Sequence, residues 1–230
     1  MKVDLIKYMS ERLKNEVIKE KEPGPVITIS REFGCPAKKI AEKLAESLTR
    51  KMYVKGTNIE WKYITKEIMS ESAKELDLDP SKIQYVFEFK QKGLIDDIIA
   101  AQSTKYYKSD RKIRNTIGRV VRNMSCEGYV VIVGRGGVAI TRDIPKSLHI
   151  HLEAPLEWRV LRASAKFNME PEEAEKYILD IDRKRKQFRD YFEGKNTDYT
   201  RFDLTFNCMT LSINEIVNII LKAAEVRNLI

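Results

Sequence analysis

ITISREFGCPAKKIAEKLA, residues 27–45, opens in the rhythm of a strand and closes in that of a helix. Val26 to Ile29 form an apolar run of the kind a buried strand carries. Gly34 marks a short loop, and Ile40, Ala41, Leu44, Ala45 and Leu48 then recur at helical spacing. A strand, a tight loop and a helix start together aim backbone N–H groups and the positive end of a helix at an anion. The full nucleotide-binding consensus, G-x-x-x-x-G-K-[ST], places glycines and a lysine in that loop. Aligned through strand and helix, its first glycine falls on Arg31, its second on Pro36 and its lysine on Ala37. Lys38 and Lys39 stand where the hydroxyl residues belong. Two readings follow: a phosphate loop with its main residues replaced, or an ordinary β-α turn.

A second stretch, YVVIVGRGG at residues 129–137, is another buried-strand pattern ending in glycines and an arginine. Ligands of parallel α/β folds sit outside the carboxyl ends of the strands. Glycines there let backbone approach a ligand, and Arg135 offers a planar donor fork matched to phosphate or carboxylate.

These stretches, with the arginine-rich segment 182–189 and FDLTFN at 202–207, resemble the cytidylate kinase-like family of P-loop proteins, relatives of nucleoside monophosphate kinases. The resemblance runs from about residue 25 to 224. Family members usually read SREYGSGGREI where this chain reads SREFGCPAKKI, so Ser30, Arg31, Glu32 and Gly34 match while a Gly-Gly pair has become Pro36-Ala37. Typical CMP kinases carry Gly-Arg-Asp after the second strand, and the acid here is Gly136. The resemblance implies ATP with Mg²⁺ as cofactors and a small-molecule nucleotide as substrate. It implies that the first-loop amides around Gly34 hold the donor's β-phosphate, that Ser30, Arg31 and Glu32 belong to the same cofactor-binding loop, and that Lys38 or Lys39 stands in for the missing lysine. Arg135 would touch the acceptor's phosphate. Arg159, Arg162, Arg183, Arg185 and Arg189 fall in the lid region that closes over the donor. Glu32 and Asp182 are the nearest acids for a metal or water contact, and no set of residues has metal-ligand spacing. His149 and His151 share one strand face and read as strand histidines rather than a metal pair.

The rest of the chain fits one α/β unit. Short apolar strands alternate with helical patterns, which is the parallel-sheet signature. The expected architecture is a three-layer P-loop NTPase-like fold with helical nucleotide-binding and lid insertions, over residues 25–230. Residues 1–24 form an amphipathic helix, with Leu5, Ile6, Met9, Leu13 and Val17 on one face, and a linker. That helix is expected to dock on the fold, a homodimer contact being the alternative. Residues 52–54 read as a short strand, Trp158, Leu161 and Ala165 as the inward face of one helix, and Tyr177, Ile178 and Ile181 as that of the next. The basic stretch 101–122, with Tyr106 and Tyr107, reads either as a substrate-facing loop or as a solvated helix entry.

Composition narrows the function classes. The 230 residues carry 42 basic against 34 acidic side chains, a net charge of +8 that suits an anionic ligand. No aromatic-interleaved basic patch or zinc-finger spacing points to nucleic acid. No segment approaches the run of about 18 apolar residues that a membrane span needs. The N-terminus contains acids and is not a signal peptide. Three scattered cysteines, Cys35, Cys126 and Cys208, read as reduced thiols of a cytoplasmic protein. Cys35 is placed where a helix N-terminus would lower its pKa, although a neutral filler role is the simpler reading. A kinase, a non-catalytic nucleotide or anion sensor, and a basic RNA-binding protein remain in competition, the last the weakest.

Overall fold

β1 (Val26–Arg31) is apolar on both faces because helices cover both. The computed structural model describes residues 23–65, 67–80, 109–193 and 201–230. The N-terminal helix, the helical patterns over 83–99 and the loop around Tyr106 and Tyr107 lie outside the described residues. Chain order from β1 is α1 (Ala37–Val54), β2 (Lys62–Ile64), α2 (Glu67–Glu75), α3 (Asp110–Glu127), β3 (Val130–Val133) and α4 (Gly137–Ile140). Then come β4 (Ser147–Glu153), α5 (Leu156–Phe167), α6 (Pro171–Glu193), β5 (Leu204–Asn207) and α7 (Ile213–Val226). The five strands form one parallel sheet in the order β2-β3-β1-β4-β5.

Side chains alternate across each strand, so the sheet feeds two cores. Ile27, Ile29, Val131, Val133, Leu148, Ile150 and Leu152 pack with Ile40, Leu44 and Leu48 of α1 and Ile216 and Ile220 of α7. Val26, Val130 and Ile132 pack on the other face with Ile113, Ile117 and Val121 of α3 and Phe188 of α6. A buried side chain of this size contributes about 1.5–3 kcal/mol relative to exposure. A third, small cluster joins Val160 and Ala163 of α5 to Ala174 and Ile178 of α6, with Phe33 against it.

Three local expectations need correction. Residues 52–54 continue α1, because buried Met52 extends its apolar stripe by one more turn from Leu48. On α5 the inward residues are Arg159, Val160 and Ala163, while Leu161 is 68% exposed. On α6 Ile178 is buried, but Tyr177 is exposed and lays its ring edge-on to Phe33 at 5.3 Å. No described helix is long and apolar enough to cross a membrane.

Strand lengths set the site. β1 pairs with β4 over all six residues, to Arg31 against Leu152. With β3 it pairs only as far as Ile29 against Val133. Ser30 and Arg31 therefore project past the end of β3, where the Gly134 amide closes onto Ile29 O at 3.0 Å.

Candidate active site

At the β1 end, the Arg31 side chain runs across the first residue after β3. A Cβ on Gly134 would meet Arg31 Nη1 at 1.9 Å, and its φ of +71° also favours glycine. Gly34, at φ +93°, lets the first loop lie on the stem of Arg159, whose Cβ would be 3.3 Å from an added methyl. The loop enters α1 through Pro36, which supplies no side-chain cap, and the first turn of α1 holds no acid. The positive end of that helix is thus uncompensated by its own sequence.

Two further arginines converge on Arg31. Arg135 follows Gly134 in the left-handed conformation, φ +56°, and gives Nε to the Thr65 carbonyl at 3.4 Å. Arg185 reaches back from α6, gives Nη1 to the Arg31 carbonyl at 3.4 Å, and lies 5.5 Å from the centre of the Phe33 ring. Burial holds Arg31 well below the usual guanidinium range, repulsion from Arg185 and Arg135 adds to this, and Asp182 opposes it. Arg135 is pushed down to about 10 by burial and then by Arg185. Arg185 is lowered by burial against the opposing pull of Asp182. All three stay cationic at neutral pH. Three crowded, desolvated guanidiniums form a site that an anion would relax.

The acids nearby are already committed. Glu32 Oε2 accepts the Ala154 amide at 3.1 Å and lies 3.3 Å from Arg159 Nε. Burial raises its pKa, opposed by that amide and by Arg159. Asp182 Oδ1 accepts the Phe33 amide at 2.7 Å, and its Oδ2 accepts from Arg159 Nη1 at 2.7 Å. Arg185 Nη1 also lies 3.4 Å from Asp182 Oδ1. Phosphates therefore fit this donor set well. Magnesium fits poorly, since both carboxylates are held by cations and amides, and no three His, Cys, Asp or Glu side chains among the described residues form a metal cluster.

The lid arginines part company in the structure. Only Arg185 joins the Arg31–Arg135 cluster. Arg159 is 5% exposed and braces the loop from beneath, with Nε also donating to Ala154 O at 2.9 Å. Arg162 stacks on Trp158 at 4.6 Å. Arg183 is exposed and pairs with Asp180 at 2.6 Å. Arg189 lies 5.9 Å from the Phe202 ring, with Asp190 and Glu193 at 3.8 and 3.9 Å. Lys38 and Lys39 are exposed in the first turn of α1, and buried Ala37 occupies the lysine position. Ser30 sits opposite His151 in the ladder. His149 is buried between Thr28 Oγ1 at 2.8 Å and Ser147 Oγ at 3.2 Å, and His151 stacks on Phe202 at 4.6 Å. Cys208 and burial raise the pKa of the Cys35 thiol, which agrees with the neutral filler reading and not with activation by the helix end. Phe33 and Thr65 escape the sequence reading. Thr65 acts through a backbone carbonyl, which no side-chain pattern announces, while Phe33 was detectable as an aromatic inside the first loop.

A model of the "Cytidylate kinase-like family" matches residues 26–210, which takes in both loops and all three arginines. The chain belongs to the cytidylate kinase-like family. Among solved structures, an uncharacterized protein from Eubacterium ventriosum is 20% identical with a TM-score of 0.60, covering 88% of this chain and 98% of that one. It shares the fold. Shikimate kinase from Bacteroides thetaiotaomicron is 13% identical at a TM-score of 0.49, covering 87% and 98%. Dephospho-CoA kinase from Campylobacter jejuni is 17% identical at 0.41, covering 89% and 97%. No curated protein matches the chain in sequence. In this cytidylate kinase-like chain the matched segment brings Arg31, Arg135 and Arg185 together at the carboxyl ends of β1 and β3. An open groove along α1 and β2, lined by Glu42, Glu46 and Glu60 with Arg50 and Lys62, shares no residue with the arginine cluster.

Proposed function

We propose that this chain binds a nucleoside triphosphate at the carboxyl ends of β1 and β3 and passes its γ-phosphoryl group to a small phosphate-bearing acceptor such as a cytidylate-like nucleotide. One observation carries the reading: the guanidiniums of Arg31, Arg135 and Arg185 converge where a kinase-like fold presents its phosphate loop. In such a transfer the bond from the β,γ-bridging oxygen to phosphorus breaks as the acceptor's phosphate oxygen takes its place. The protein's task is positioning and neutralising charge on the moving group. Arginine forks can supply both.

A second reading, a nucleotide or anion sensor without turnover, is favoured by Ala37, which removes the lysine from the loop. ADP release from ATP, with CMP, dCMP and UMP as acceptors, separates the two. Turnover on one acceptor that falls at least about 100-fold in Arg135→Ala is the expected result for a lost transition-state contact. Saturable ATP binding without ADP release would leave the sensor.

A further inference from the structure

We infer that the guanidinium triad of Arg31, Arg135 and Arg185 takes the place of a magnesium ion at this site, which therefore binds the metal-free polyphosphate. The inference rests on the nucleotide-binding reading above and adds the form of the ligand. Three independent features of the site support it. Gly134 leaves space for the Arg31 guanidinium where any side chain would collide with it. The turn after β3 is Gly134-Arg135-Gly136-Gly137, with no oxygen-bearing side chain to hold a hard cation. The two carboxylates at the loop, Glu32 and Asp182, are held by Arg159 and by the Ala154 and Phe33 amides. Freeing either one for magnesium would take away one of the two carboxylates paired with buried Arg159.

The electrostatics point the same way. Burial depresses Arg31 and Arg135, with repulsion from Arg185 adding and Asp182 opposing at Arg31, and a polyphosphate brings further negative charge to the three guanidiniums. Magnesium cancels two of those charges and adds a cation beside three others. A guanidinium fork also holds a phosphate through directed paired hydrogen bonds, as a single ammonium cannot.

The test is calorimetric titration of the full chain with ATP and with inorganic tripolyphosphate, in excess EDTA and in saturating magnesium. The expected result is binding in EDTA at least as tight as in magnesium. Arg31→Gln should weaken the EDTA affinity by about tenfold or more, the scale of one lost charged hydrogen bond. Gly134→Ala should weaken it too, by displacing the same guanidinium with its charge intact. If Arg31→Gln does not fold by circular dichroism, Gly134→Ala and the metal comparison on the unaltered chain still decide. ATP binding that requires magnesium would overturn the inference and leave the nucleotide reading standing. So would EDTA affinities unchanged in both variants. No binding of either probe under either condition would bring down the nucleotide reading as well.

Discussion

At Arg159, a residue only 5% exposed, the guanidinium meets Ala154 O at 2.9 Å, Asp182 Oδ2 at 2.7 Å and Glu32 Oε2 at 3.3 Å. Its position in the lid segment suggests a ligand contact, but its partners make it a brace between α5, α6 and the first loop. Removing one member of a buried ionic group leaves the others desolvated and unpaired. Arg159→Ala is therefore expected to cost about 3 kcal/mol, read as a lowered urea midpoint. Arg185→Ala, three residues beyond Asp182, should instead spare most of the stability and weaken ATP binding, measured by calorimetry. A pair of variants with the opposite ranking would reverse the two roles. Sequence alone made these arginines look alike, because the difference lies in what each one meets once α5, α6 and the first loop have packed together.

Among the elements, those with a strong period were legible. α7 shows buried Ile216, Val217, Ile220 and Leu221 on one face, and its start is written out in Ser212 and Glu215. The Ser212 hydroxyl accepts the Glu215 amide at 3.3 Å, and the Glu215 carboxylate accepts the Ser212 amide at 2.8 Å. Such a box satisfies two otherwise orphaned donors. Ser212→Ala should lower stability by about 1 kcal/mol, seen as a shifted denaturant midpoint with an unchanged slope. The less legible elements were those whose faces are set by polar contacts. Leu161 is exposed on α5 because Arg159 claims the inward position, an arrangement that hydrophobic spacing cannot register. β2, only three residues long and on the sheet edge, has too little sequence to show a period.

For the whole molecule, the sheet places titratable groups where burial alters their charge. His151 is lowered from 6.5 to about 4, by burial and then by Arg189. His149 is lowered by burial, with Arg227 adding and Asp203 opposing. A histidine kept neutral in the fold contributes stability above its unfolded pKa, and this is lost as the unfolded chain takes up the proton first. The melting temperature should therefore fall as pH drops from 6.5 towards about 4. His151→Phe keeps the stack on Phe202, and the Nδ1 it removes has no hydrogen-bond partner among the described residues. That variant should flatten the decline without lowering the melting temperature at neutral pH; an unchanged slope would remove His151 from the account. By itself the sequence determined the alternation of strands and helices, the two loops at strand ends and the family, because periodicity and turn chemistry are local properties of the chain. The tertiary structure alone decided which arginines meet. β1 outruns β3 by two residues, Gly134 clears the space, and α6 returns Arg185 across the loop. Those three facts depend on register and packing between distant segments, and no local pattern encodes them.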